Sequence, residues 1–590
     1  MRILLLSSAF NSLTQRVFVE LRDRGHTVAV ELALGDDDRL TAAVRGHSPE
    51  LVIAPMLTTA VPEAVWSAYT CLIVHPGPPG DRGPSSLDRA VQDGVTRWGV
   101  TVLQAVAEMD AGPVWASAEF AVPPDAGKSD LYRGELSDAA LRAVHLAVDR
   151  IASGSYTPRT PPEHTWRPYL RQEERRIDWL GDPTDTVLRK LRAADSQPGV
   201  LDAFLGREWY LHGGHPAPGF TGPPGEIVAT SDGAICRATR DGAVWIPELR
   251  PRRTPGGPAT FKLPATLALG GDSATFKLPA TPALGGDSAP LQGRGTVTGG
   301  APPRGQDQPA TAGGGEPACG SYSQVTYDEH GTVGFVRFRF PGGAMSTDQC
   351  RRLLAVFREA RTRPVDVIVL GGERDFFSNG IHLGVIEAAA DPAAESLANI
   401  EAVDDLVEAI LTTTDRLVVA ALPGNAAAGG AMLALAADEV WCRSGAVVNP
   451  HYRLMGLYGS EYWTYTLPRR VGPVAAARLT GDALPLSATA ARSLGLVDRV
   501  VECAPGVFAE QVARMADRLA RSTSLPARLG AKKAGRERDE AARPLGAYRA
   551  AELHRMRAVF DDPAAPYHAL RSAFVRKRRP EGTPAHLRTG

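Results

Sequence analysis

The chain has 590 residues, 44% of them hydrophobic and 6% aromatic, with 65 Lys and Arg against 66 Asp and Glu and a formal net charge of −1. That length predicts three or four domains with ordinary cores, and the balanced charge excludes a global field for nucleic acid or for an anionic membrane surface. Six cysteines, at positions 71, 236, 319, 350, 442 and 503, have neither CxxC nor zinc-ligand spacing, so no metal site is expected and a reducing, cytoplasmic setting is.

The opening Arg2–Leu6 run is too short for a signal-peptide core and reads as a first strand. Strands are expected at Ile3–Leu6 within that run, Thr27–Leu32, Leu51–Ala54, Leu72–Val74 and Thr101–Ala105, with helices between them such as Leu13–Arg24 and Ala60–Ala68. This rhythm predicts an open parallel sheet of Rossmann type, whose ligands bind at the carboxyl ends of strands. No GxGxxG follows the first strand, so a dinucleotide is not expected.

From 166 to 265, short segments such as Gly225–Ala229, Ala234–Thr239 and Ala243–Pro247, separated by Gly, Asp and Pro, predict a small β-rich, OB-like domain. The fifteen residues Ala259–Ser273 then recur as Ala274–Ser288, with Pro282 replacing Leu267, and run into a Gly/Pro-rich stretch ending near 320. Two copies are too few for a solenoid, so the repeat reads as a local duplication leading into a linker. A second α/β region begins near Ser321, with strands at Val333–Phe340, Val365–Leu370 and Leu417–Leu422. Helices follow at Pro473–Leu479, Ala488–Leu494 and Val507–Ala520. The apolar stretch Leu417–Leu435 is broken by Pro423, Gly424, Asn425, Gly429 and Gly430, which predicts a buried strand, turn and helix and no membrane span. The basic end Arg576–Arg579 reads as solvated. The expected domains are 1–165, 166–265, a repeat and linker over 266–320, 321–510, and a helical region over 511–590.

Two regions carry chemistry. The first is Cys71-Leu-Ile-Val-His75-Pro-Gly-Pro-Pro-Gly-Asp81-Arg82-Gly, with Met109-Asp110-Ala111-Gly112 on a later turn. Alone, His75 reads as a core histidine and Asp110 as a turn residue. Brought together over a Gly/Pro loop, they form a pair able to move a proton and steady an oxyanion, suited to transfer of an acyl-type group. Loop and turn together resemble the folate-dependent formyltransferases. The resemblance implies that His75 and Asp110 are catalytic, that the donor is 10-formyltetrahydrofolate, and that Ser8 and Asn11 after the first strand face the folate. Ile73 stands beside them, where many members of that family carry an Asn.

The second region pairs Asp375-Phe-Phe-Ser-Asn-Gly380-Ile381-His382 with Leu422-Pro-Gly-Asn-Ala-Ala-Ala-Gly429-Gly430. Each ends a strand and turns on glycine, and a facing pair of such turns can offer two backbone N–H groups to an oxyanion. The pair resembles the crotonase (enoyl-CoA hydratase/isomerase) family, which polarises a coenzyme A thioester. The resemblance places the oxyanion donors on Ile381 and Gly429, and the hydratase glutamates on Met432 and Tyr452. A methionine transfers no proton, so simple hydration is not expected. Tyr452 and Glu461 are the candidate acid/base pair, with Glu461 expected to have a raised pKa in an aromatic pocket; an ion pair of Glu461 with Arg469 or Arg470 is the alternative. His382 and His451 read as structural or positioning residues.

The fusion of both regions resembles a family of hydrogenase-maturation proteins. It implies formyl transfer from 10-formyltetrahydrofolate to coenzyme A, then splitting of formyl-CoA into coenzyme A and carbon monoxide for a [NiFe]-hydrogenase iron. An internal tunnel is conceivable, and hydrogenase maturation proteins would be the partners receiving the product. The alternatives are formyl transfer to an amine beside an acyl-CoA hydrolase or isomerase, and a scaffold without turnover.

Overall fold

The computed structural model describes residues 1–163, 165–270, 321–372 and 374–588. The first sheet runs in the order Thr27–Leu32, Arg2–Ser7, Leu51–Met56, Cys71–His75, Arg97–Gln104 and Val114–Ala121. Ile3, Leu4, Leu5 and Leu6 are all buried, because helices cover both faces of this sheet. The first four strands are parallel; Arg97–Gln104 runs antiparallel to them, and Val114–Ala121, antiparallel to it, runs in their direction again. The fully parallel sheet expected from the sequence is therefore corrected. The short turn through Asp110 makes the last two strands a hairpin, while the 76–96 connection, with helix Ser86–Gln92, brings Arg97–Gln104 in against the strand of His75 from the opposite direction. The helix expected over Ala60–Ala68 shrinks to Glu63–Trp66, which starts only after Pro62. Helix Glu135–Ser153 lies on the last strands, and its buried Ala139, Ala140, Ala143 and Ala147 permit close approach.

Residues 200–264 form two small four-stranded antiparallel sheets around Trp209, Leu211, Ile235, Val244 and Ile246. The first copy of the repeat belongs to this module. Its Leu263–Pro264 pairs with Glu248 and Leu249, and Ala265–Ala268 forms a helical turn. The described part of that copy, 259–270, is structural, which corrects the reading of it as a lead into a linker; residues 271–273 and the second copy, 274–288, lie outside the described residues.

The large sheet of the second half has the order Val325–His330, Val333–Phe338, Val367–Gly372, Leu417–Leu422, Glu439–Arg443 and Arg499–Val501, parallel after its first hairpin. Helices Thr347–Thr362 and Pro392–Leu411 pack together beside it, and helix Leu545–Asp561 lies against the second of them. Among the described residues, no helix is long and apolar enough to cross a membrane.

The halves are tied by partly buried charge. Asp138 accepts from Arg16 at 2.7 Å in its own half and from Arg443 at 2.9 Å in the other. Arg133 holds Asp375 with both arms of its guanidinium. The chain also returns to its beginning: Leu32 N donates to Thr583 Oγ1 at 2.8 Å, Thr583 Oγ1 donates to Glu31 at 2.6 Å, and Leu587 packs into the core of the first domain.

Candidate functional site

Strand Cys71–His75 buries Cys71, Leu72 and Val74 and delivers His75, 4% exposed, at its carboxyl end. The following loop is pinned by Ser86 Oγ and Trp98 Nε1, which donate to Pro76 O at 2.8 and 2.9 Å, and by Thr101 Oγ1, which donates to Gly77 O at 2.8 Å. His75 Nδ1 lies 3.5 Å from Asp110 Oδ2, so the structure brings together the two residues singled out in the sequence. Asp110 has φ +53°, and its carboxylate accepts from Gly83 N at 3.2 Å.

Sequence reasoning missed a second acid. Asp81 Oδ2 is 3.0 Å from His75 Nε2, and Asp81 Oδ1 is 2.8 Å from Arg167 Nε. A Cβ on residue 77 would stand 2.3 Å from Asp81 Oδ2 and 2.6 Å from His75 Nε2, so glycine there is what lets the two meet. His75 is thus flanked by a carboxylate at each ring nitrogen. Asp81 is visible in the loop motif, but its sequence gives no sign of which way the loop folds; Arg167 carries no local signal at all. Asn11 caps helix Ser12–Asp23 through Thr14 N and donates to Tyr132 Oη at 2.9 Å. Ser8 is occupied with Thr58, and Ile73 packs against the neighbouring apolar cluster.

In the second half, Gly380 has φ +81°, and a Cβ there would come within 3.1 Å of Gly429 N, so the two glycine turns face each other closely. Tyr452 Oη donates to Glu461 Oε2 at 2.6 Å, and Ser460 N donates to the same oxygen at 3.1 Å. Tyr452 is 7% and Glu461 2% exposed. Burial pushes the Glu461 carboxyl above its ordinary pKa, against the opposing hydrogen bonds from Tyr452 and Ser460. Burial, with Glu461 beside it, also lifts Tyr452 well above the usual phenol range, so it stays an O–H donor. The ion-pair alternative for Glu461 is not realised, since Arg469 pairs with Asp539 and Arg470 with Asp498. Met432 is fully buried. His382 caps helix Leu383–Ala388 by accepting from Val385 N.

Ile381, Gly429, Tyr452 and Glu461 all line one cavity of about 1000 Å³. Its wall continues to Asn11 and Gln15 in the first domain, and to Arg250, Lys262, Arg576 and Lys577. His75 and Asp110 lie outside that lining. Most of the basic end is solvated as expected, with Lys577, Arg578 and Arg579 exposed; Arg576 departs from it by pairing with Glu387, and Arg576 and Lys577 also border the cavity. This part of the wall is mainly cationic, with Glu248 beside Lys262, and the rest of the lining is largely apolar.

Comparison with known proteins agrees with this two-part construction. Residues 31–144 match the formyl transferase family, 169–258 the formyl transferase C-terminal domain, and 328–581 the enoyl-CoA hydratase/isomerase family. The methionyl-tRNA formyltransferase of Geobacillus thermodenitrificans is 26% identical over 215 residues, 35% of this chain and 67% of that protein. The crystal structure of HypX from Aquifex aeolicus in complex with tetrahydrofolic acid superposes with a TM-score of 0.89 at 40% identity, covering 100% of this chain and 98% of that one. The hydrogenase maturation factor HoxX of Bradyrhizobium diazoefficiens is 45% identical over 99% of this chain and 96% of its own length. A chain that shares both halves, their order and nearly its full length with these proteins belongs to the HoxX/HypX family of hydrogenase maturation factors.

Proposed function

We propose that this protein makes carbon monoxide for the iron of a [NiFe]-hydrogenase, in two steps that share coenzyme A. In the first, the thiol sulfur of coenzyme A attacks the formyl carbon of 10-formyltetrahydrofolate. A C–S bond forms, the C–N bond breaks, and the thiol proton is replaced on the departing nitrogen. His75 donates to the tetrahedral oxyanion, with Asp110 holding the ring and relaying the proton. The products are tetrahydrofolate and formyl-CoA. The tetrahydrofolate-bound HypX of Aquifex aeolicus supports a folate donor, and Asn11 is the candidate folate contact; Ser8, engaged with Thr58, and Ile73, packed in an apolar cluster, are weaker ones.

In the second step the N–H groups of Ile381 and Gly429 hold the formyl oxygen. Glu461 as carboxylate takes the formyl proton, the C–S electron pair leaves with sulfur, and carbon monoxide departs. The proton passes to the thiolate through Glu461 and the Tyr452 hydroxyl, so coenzyme A returns as the free thiol and is needed only in catalytic amount. The observation that carries this reading is the Tyr452–Glu461 pair in a cavity shared with the oxyanion turns and a cationic wall.

The test is carbon monoxide release, read from the haemoglobin spectrum, with formyl-labelled 10-formyltetrahydrofolate and coenzyme A. Labelled carbon monoxide that requires coenzyme A is the expected result. Formate release, or turnover indifferent to coenzyme A, would replace this reading with the amine-acceptor or hydrolase alternative. Because Glu461 must be ionised to accept a proton and its pKa is raised, the release rate should climb with pH through a limb lying above the ordinary glutamate value of 4.5. A limb at or below the ordinary glutamate value would exclude Glu461 as the base.

A further inference from the structure

Glu461 and Tyr462 have φ of +63° and +55°. Two consecutive non-glycine residues in the left-handed region persist only where their surroundings over-determine them. Here each strained backbone N–H meets a buried carboxyl group. Glu461 N donates to Asp404 Oδ1 at 2.7 Å, and Tyr462 N donates to Glu552 Oε2 at 2.9 Å.

The two acids come from separate helices. Asp404, 0% exposed, projects from the middle of Pro392–Leu411; Glu552, 1% exposed, projects from Leu545–Asp561. The second oxygen of Glu552 accepts from Thr464 N at 2.9 Å and from the Thr464 hydroxyl, fixing the start of helix Trp463–Val471 directly after the turn. Asp404 Oδ2 has no hydrogen-bond partner and stands 3.9 Å from Arg549 Nε. Burial raises both groups above their ordinary values, Glu552 to about 7. Two acids at such depth are costly placements that apolar side chains would fill more stably. What they supply is an acceptor at each strained N–H. A Cβ on residue 429 would touch Glu461 Oε1 at 2.3 Å, so the seat also fixes that carboxyl against the oxyanion turn.

We propose that Asp404 and Glu552 are positioning residues for the second reaction: they hold the Glu461–Tyr462 turn left-handed, which aims the Glu461 carboxyl at the Tyr452 hydroxyl and at Gly429. This rests on the reading of Glu461 as the base. It makes the helical region beyond residue 511 part of the active centre through Glu552.

The experiment uses the full chain supplied with formyl-CoA, and in parallel with 10-formyltetrahydrofolate and excess coenzyme A. Asp404→Ala and Glu552→Ala are each expected to lower kcat for carbon monoxide release about a hundredfold, the effect of misplacing a reacting group by an ångström. KM for formyl-CoA and the rate of tetrahydrofolate formation should hold. Asp404→Asn, whose carboxamide oxygen can still accept from Glu461 N, should keep most of the rate. A wild-type kcat in both alanine variants, or an Asp404→Asn as impaired as Asp404→Ala, would overturn the proposal. Should Asp404→Ala fail to fold, Glu552→Ala and Asp404→Asn carry the same comparison. If the unaltered protein releases no carbon monoxide, the parent reading fails, and crystal structures of these variants decide the seat alone. Loss of the left-handed turn and of the Tyr452–Glu461 contact in an alanine variant supports it; an unchanged turn overturns it.

Discussion

Glu461→Gln is expected to stop carbon monoxide release while tetrahydrofolate formation, measured over the first turnover with excess coenzyme A, continues at the normal rate. The amide keeps the size of the side chain and can still accept from Tyr452 and Ser460, so the turn and the burial should survive. What it loses is the ability to take a proton, and a positioned general base is typically worth about 10²–10⁴ in rate. Formyl-CoA should accumulate and be trapped by quenching. Carbon monoxide release undiminished in this variant would move the proton-accepting role away from Glu461, and Tyr452→Phe would then be the next substitution to make.

His75→Ala is expected to produce the opposite division. Formation of tetrahydrofolate should fall about 10²–10³-fold, the usual effect of removing one oxyanion donor, whereas carbon monoxide release from added formyl-CoA should be untouched. Asp110 and Asp81 would both face the space left by the imidazole, 3.5 Å and 3.0 Å from its former nitrogens. The loss would therefore include repulsion of an anionic intermediate, and His75→Gln, which restores an N–H donor, should recover part of the rate. Formyl transfer that survives His75→Ala would leave the backbone N–H groups of the loop as the sole stabilisers.

The contrast between these two variants follows the chain's own division, much of which was legible beforehand. A histidine at the end of an apolar strand, an acid on a later turn and two glycine turns after strands are local patterns, and the structure keeps each of them. Residues that act across the fold left no local trace. Asp404 and Glu552 lie 57 and 90 positions from the N–H groups they accept from; in sequence each is an ordinary helix acid. Asp81 differs, because it sits inside the recognised loop, yet its contact with His75 depends on a backbone path that only the absence of a Cβ at Gly77 permits. The antiparallel entry of Arg97–Gln104 was misjudged because a βα rhythm fixes which segments are strands but not the direction in which each joins the sheet. The basic end is largely solvated, as a charge run usually is, and only the tertiary fold could show that Arg576 turns back to Glu387 and borders the cavity.

The return of the chain to its own beginning has a consequence for the order of assembly. Glu31 is buried beside the edge of the first sheet, and the hydroxyl that satisfies it arrives on Thr583, 552 residues later. During synthesis the first domain therefore emerges with its edge strand unfinished, and Leu587 fills the matching hydrophobic place only after the crotonase-like half has been made. The first domain is thus completed last, although it is translated first. Nascent chains stalled before residue 580 should accordingly show a loosened Thr27–Leu32 edge in hydrogen exchange, tightening once the last segment is released.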